Sequence, residues 1–261
     1  MIRLGSVVER EISANTEALT FIYSHLLKST GVTSNKYIHV NHIGNDLEEA
    51  ILYYGKEVFI NIKYPLPENF HSKSDIEKQE VFLDILQAAL CRLANEDKRI
   101  TTEKLEAVKK QILQQQFAFE IVHRTYVNKK RQDLVAKVIV VPQPYNFDFY
   151  ILIEDGDVQK CKLAIYRGKP TDYYIDDLFS TGKWKGEDEF ILKGKKSEIE
   201  FHLQLSTCNL KFVNVTDNKD KAPLFELMKS SADKNKTLKD YIESLNPAIA
   251  AMLTNTLNKW Q

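Results

Sequence analysis

The spacing of apolar residues along this chain changes period several times, and each change marks an element. Leu19, Ile22, Tyr23 and Leu26 recur at helical spacing before Gly31, which predicts a helix over 14–31 ending at that glycine. "KYIHV" (36–40) reads as a short strand. In 49–65, Val58, Ile60 and Ile62 alternate with Phe59, Asn61 and Lys63, and Gly55-Lys56 sits between two such runs. That pattern predicts a hairpin, ended by Pro65 and Pro67.

The clearest helix follows. Ser74 and Glu77 have the spacing of a capping box, in which a serine hydroxyl and a glutamate three residues on satisfy each other's backbone amides. Phe82, Ile85, Leu86, Ala89, Leu90 and Leu93 then form one apolar stripe to about Asn95. A second helix is predicted over 102–116, with Leu105, Val108 and Ile112 on one side. The short link between them predicts an antiparallel helix pair.

From Phe117 the period becomes two, and a strand is predicted to start there with Phe119, Ile121, Thr125 and Val127 on one face. "NKKRQD" (128–133) reads as a turn and "LVAKVIVV" (134–141) as a central strand. "FDFYILI" (147–153) and "VQKCKLAIY" (158–166) flank an Asp155-Gly156 turn. Strands are also predicted at 189–192, 198–205 and 209–215, and three short helices in the tail, in "APLFELMKSS", "TLKDYIESL" and "PAIAAMLTNTLNKW". The expected fold is α+β: an N-terminal helix pair with short strands, then an antiparallel β-meander with C-terminal helices. The expected division is 1–116 and 117–261, with one continuous domain as the alternative.

Composition narrows the function classes. Lys plus Arg and Asp plus Glu both number 36, so the chain carries no net charge to attract nucleic acid or anionic lipid. The longest apolar runs, 138–141 and 149–153, fall far short of the ~20 residues that span a bilayer. The N-terminus has no apolar stretch of signal-peptide length, so a cytoplasmic location is expected. Abundant Lys, Asn and Ile with scarce Gly and Pro suggest a bacterial source. Cys91, Cys161 and Cys208 are odd in number and widely spaced, which predicts buried reduced thiols.

Catalytic patterns are hard to find. The chain has no GxSxG turn, no GxGxxG, no GxxxxGK[ST] and no HExxH. His39 and His42 lie three apart beside Asn45 and Asp46 and are weak metal candidates. On a regular strand they point to opposite faces, and zinc needs at least three protein ligands. They are expected as partly exposed imidazoles at a strand end, with Asn45-Asp46 capping the segment "LEEA" (47–50), and with no metal and no cofactor. His123 is expected as a hydrogen-bonded core residue. The clusters Asp46/Glu48/Glu49, Asp176/Asp177 and Glu187/Asp188/Glu189 read as solvated surface, and "NKKR" (128–131) as a solvated turn.

The segment 169–190 is aromatic, acidic and long for a connection. Tyr173, Tyr174, Phe179 and Trp184, with Asp176 and Asp177, are the candidate binding residues, because tyrosine and tryptophan are enriched where proteins meet. The expectation is a non-catalytic protein-interaction module with a protein partner, and neither membrane nor nucleic acid. One concrete form is a bacterial immunity-type protein that binds and blocks a partner toxin. The alternatives are a metal-independent hydrolase or transferase with dispersed acid–base residues, and an RNA- or peptide-binding protein using the meander face. No pattern speaks to oligomeric state.

Overall fold

A computed structural model of the chain describes residues 1–32, 37–144, 146–168, 179–193 and 199–214. The architecture is α+β. Two compact units divide the chain: Met1–Phe119 with Pro142–Tyr145, and Glu120–Val141 with Asn146–Gln261.

The first unit carries β1 (Ile2–Ser6), α1 (Arg10–Asn15), α2 (Glu17–Ser29), β2 (Tyr37–His42), β3 (Ala50–Tyr54), β4 (Glu57–Ile62), α3 (Asp75–Glu96) and α4 (Thr102–Gln114). Its sheet has the order β1-β2-β4-β3. β2 is parallel to both β1 and β4, while β3 pairs antiparallel with β4 through the Gly55 turn. A parallel pair needs a crossover, and α1 and α2 supply it between β1 and β2.

One face of this sheet is core. Ile2, Leu4, Ile38, Val40, Val58, Ile60 and Ile62 are all buried, and helices α2 and α3 pack on the sheet. The predicted stripes of α2, α3 and α4 are buried in full. Each such aliphatic side chain contributes about 1.5–3 kcal/mol when fully removed from water. The capping box of α3 is present: Ser74 accepts from the Glu77 amide, and Glu77 accepts from the Ser74 amide at 2.9 Å. A polar chain runs outward across the helices, with the buried Tyr23 donating to the buried Gln87 at 2.7 Å and Gln87 donating to the exposed Glu106 at 2.9 Å. Burial, reinforced by the Glu106 charge, pushes the Tyr23 phenol far above its ordinary pKa.

The strand expected from Phe117 starts later. Gln116 and Phe117 have φ of +48° and +61°, and the Phe117 amide donates to the Ile112 carbonyl at 3.1 Å. These residues close the end of α4 by satisfying carbonyls the helix leaves without partners. The period-two pattern therefore begins four residues early, on a helix stop.

Among the described residues, the second unit holds eight strands in two sheets. β5 (Ile121–Val127), β6 (Leu134–Pro142), β7 (Phe147–Asp155) and β8 (Val158–Gly168) form the first, in sequence order. β9 (Thr181–Lys185), β10 (Glu189–Lys193), β11 (Ile199–Gln204) and β12 (Asn209–Asn214) form the second. β5 and β6, β7 and β8, and every neighbouring pair of the second sheet run antiparallel. Inward rings join the sheets: Phe149 lies 5.0 Å from Phe179, Phe179 lies 5.8 Å from Phe201, and Tyr126 lies 5.6 Å from Phe190. The expected meander is thus two layers, and β9 occupies part of the segment read as one long connection. The expected C-terminal helices lie outside the described residues.

The cysteine expectation is corrected. Cys161 and Cys208 are joined by a disulfide, with Cα atoms 5.8 Å apart, and Cys91 is the free thiol. The bond ties β8 of one sheet to the β11–β12 turn of the other. Among the described residues, no helix is long and apolar enough to cross a membrane.

Candidate functional site

Of the binding residues expected from the sequence, Tyr173, Tyr174, Asp176 and Asp177 lie outside the described residues. Phe179 is fully buried among Phe149, Tyr166 and Phe201, so its ring belongs to the core between the sheets. Trp184 is half-buried on β9; its indole N–H donates to the Tyr126 carbonyl at 2.9 Å and its ring packs 5.1 Å from Phe190. Both aromatics hold the sandwich together, which is where a large ring at a sheet junction gains most from burial.

His39 and His42 are brought to opposite faces of β2. His42 is 3% exposed, not at a wet strand end. Its Nε2 lies 2.9 Å from the Tyr64 carbonyl, which can only accept, so Nε2 carries the proton. Its Nδ1 lies 3.0 Å from Ser6 Oγ, an oxygen that already accepts from the amides of Val8 and Glu9 and so donates to the ring. No lone pair of His42 is left for a metal. His39 stacks on Phe59 at 4.6 Å. Asn45 and Asp46 precede no helix, because 47–49 leads directly into β3.

Among the described residues, one group of side chains has metal-ligand chemistry at close range: Glu9, Glu11 and His71. The His71 ring lies 3.5 Å from Glu9 and 3.7 Å from Glu11. Each carboxylate has an oxygen already occupied, Glu9 by the Glu11 amide at 2.9 Å and Glu11 by Lys78 at 2.7 Å. The His71 side chain is 74% exposed, so the group is a surface cluster of polar contacts around that ring.

The other acid–base candidates have structural partners. His123 sits at a bulge of β5, between Val122 and Arg124. Glu49 accepts from the Lys63 amide and pairs with Arg92, and the Lys63 bond with the Arg92 charge holds its carboxyl below the usual range. Asp188 accepts from Gln204 and from both the hydroxyl and the amide of Ser206, which lowers its pKa. Four of the basic residues that could gather on one face are paired with carboxylates: Arg131 with Asp155, Lys137 with Glu154, Lys160 with Asp155, and Lys162 with Glu120. A cavity of about 30 Å³ is lined by Met1, Ile2, Ser24, Leu27, Lys28, Val32, Ile38 and Ile100. It offers room for one water and presents neither carboxylate nor imidazole.

The second face of the first unit's sheet is different in kind. Three rows cross it in register. Tyr54, Glu57 and Tyr37 form one, and Leu52, Phe59, His39 and Arg3 the next. Ala50, Asn61, Asn41 and Gly5 form the third, with Asn41 donating to Asn61 at 3.0 Å. Tyr54 is 63% exposed, Tyr37 48% and Leu52 40%. Tyr54 meets Phe59 edge-on at 5.8 Å, and Phe59 is half-buried. Tyr53 points the other way and donates to Glu96 at the end of α3 at 2.8 Å; burial and that carboxylate push its pKa up to about 12. β3 is an edge strand of the sheet.

This cluster was missed by sequence reasoning, although part of its signal is visible. Phe59 falls on the face of β4 that Asn61 and Lys63 mark as wet, opposite the buried Val58, Ile60 and Ile62. An aromatic on a wet strand face next to a Tyr53-Tyr54 pair is the pattern that points to a contact surface. Comparisons with protein-family models, curated proteins and solved structures found no match.

Proposed function

We propose that the chain is a non-catalytic protein-interaction module whose contact surface is the open sheet face of the first unit, centred on Tyr54, Leu52, Phe59 and Tyr37. The observation that carries the reading is their register: three large exposed side chains and a half-buried ring stand together on one face, at an edge strand. Tyrosines give contact area at low entropic cost and enrich interface cores. An edge strand adds unpaired backbone groups that an incoming strand could extend. A bacterial immunity-type protein, which acts by binding and blocking a toxin, is the concrete form this reading takes, since such a role needs a surface and no chemistry of its own.

The enzyme reading lacks support from the described residues, where Glu9, Glu11, Glu49, Glu77 and Asp188 are tied into capping, turn and ion-pair roles and the cavity beside Ser24 and Lys28 presents neither carboxylate nor imidazole. The nucleic-acid reading is weakened by the carboxylate partners of Arg131, Lys137, Lys160 and Lys162. The test is site-specific photo-crosslinking in the cells that make the protein, with the probe at position 52 or 54 and a control probe at the exposed Lys110 of α4. A discrete protein adduct from the sheet face alone supports the reading. Adducts to nucleic acid, or equal labelling from Lys110, refute it.

A further inference from the structure

The two cysteines of the second unit are placed unequally. Cys161 lies in β8, an edge strand of its sheet, and is 3% exposed. Cys208 is half-buried in the turn between β11 and β12, beside the exposed Ser206 and Thr207. Its φ of +48° is in the left-handed region, which glycine and asparagine enter most readily. A cysteine at such a position is there for its sulfur, since its backbone preference argues against it.

The turn is built to hold that sulfur in place. Asp188, in the neighbouring β9–β10 turn, accepts from Ser206 N at 2.6 Å and from Ser206 Oγ at 2.9 Å, and its carbonyl accepts from Leu205 N at 2.7 Å. The Cys208 amide donates back to the Leu205 carbonyl at 3.2 Å. At the other side of the sandwich the sheets are joined without a covalent bond, by Tyr126, Trp184 and the Asn128 side chain, whose Nδ2 donates to the Gly186 carbonyl at 2.8 Å. The disulfide is the counterpart of that clasp.

We propose that Cys161 and Cys208 form a thiol-oxidation site, that Cys208 is the thiol through which oxidation enters, and that the oxidised chain is the working form. An oxidant of the small-molecule disulfide class, such as glutathione disulfide, reaches the Cys208 sulfur and not the buried Cys161. The Cys208 thiolate attacks one sulfur of the oxidant, breaking its S–S bond and releasing one glutathione thiolate. The Cys161 thiolate then attacks the Cys208 sulfur of the mixed disulfide and displaces the second glutathione. Two electrons and two protons leave as two molecules of glutathione. Cys91, on α3, is the poorer entry thiol: burial and the nearby Glu106 carboxylate raise its pKa, which lowers its thiolate fraction. The bond spans 47 residues and encloses β9, β10 and β11, so it restricts the unfolded chain strongly. A staple of this kind persists in an oxidising compartment and is lost in a reducing one.

The direct test is to quench with acid the cells that make the protein, alkylate, and map the cysteines by mass spectrometry. Alkylation at Cys91 alone, with the Cys161 and Cys208 peptides joined, is the expected result. Three alkylated cysteines overturn the proposal. In a second experiment, reduced protein is mixed with glutathione disulfide: Cys161→Ser accumulates glutathione on Cys208, while Cys208→Ser leaves Cys161 unmodified. The reverse preference refutes Cys208 as the entry thiol. Reduction lowers the melting temperature by about 10 °C in the unaltered protein and not in the double serine variant; equal melting temperatures for oxidised and reduced protein contradict the staple.

Discussion

The ring of Tyr126 lies directly over Gly182: a Cβ built on that glycine would stand 2.5 Å from the ring's Cγ. Gly182 is on β9 and Tyr126 on β5, so this contact joins the two sheets of the second unit. The phenol is held from beyond, since its hydroxyl donates to the Phe179 carbonyl at 2.7 Å and its ring packs on Phe190. The neighbour that must yield is therefore the root of an anchored aromatic. Gly182→Ala is expected to destabilise the protein by about 1–3 kcal/mol, read from urea unfolding. An unchanged unfolding midpoint would mean that the sheets are not packed this closely.

Ser74 caps α3, the longest helix among the described residues, and its hydroxyl and amide are both engaged with Glu77. Ser74→Ala leaves the Glu77 amide without its acceptor. A loss of about 1 kcal/mol is expected, with no change in the slope of the denaturation curve. A loss within experimental error would show that solvent replaces the cap.

The acid side of the stability profile depends in part on Asp188. Bonds from Gln204 and Ser206 hold its carboxyl below the ordinary value of 3.8. A depressed folded-state pKa contributes stability that is complete above the unfolded value and is lost as pH falls through the folded one. Asp188→Asn is therefore expected to be less stable than the unaltered protein at neutral pH, with the two converging below about pH 3.8. Melting curves from pH 7 down to pH 2 check this; a constant difference across the range argues against it.

His42 is expected to matter for stability and not for metal. His42→Ala removes a buried ring bonded to Ser6 and Tyr64 and should cost about 1–3 kcal/mol, whereas His39→Ala should cost less. Equilibrium dialysis against zinc should give the same uptake for both variants as for the unaltered protein. Uptake that falls by one ion per chain in either variant would reopen the metal reading.

Local patterns carried through to the structure where a single element determines them. The Ser74–Glu77 box, the stripes of α3 and α4, and the turn at Gly55 are each decided by residues within a few positions of one another. Relationships between distant segments were not legible. β1 pairs in parallel with β2 across two helices, and nothing in "MIRLGS" announces a parallel partner. β9 has the sequence "TGKWK", whose glycine and lysines mask a strand that forms because Tyr126 and Phe190 cover it. The bond between Cys161 and Cys208 joins positions whose pairing depends on which strand edges coincide. The candidate site was obscured for the same reason. Tyr37, Leu52, Tyr54 and Phe59 come from three strands and become one surface only once the order β2-β4-β3 is known.

The central claim, that this face receives a protein partner, is tested most directly by photo-crosslinking from position 54 in the cells that make the protein. The account predicts one discrete protein adduct that is also obtained from position 52, is lost when Phe59 is replaced by Asp, and is absent from position 110. No adduct from 52 or 54, or equal adducts from all three positions, would contradict it.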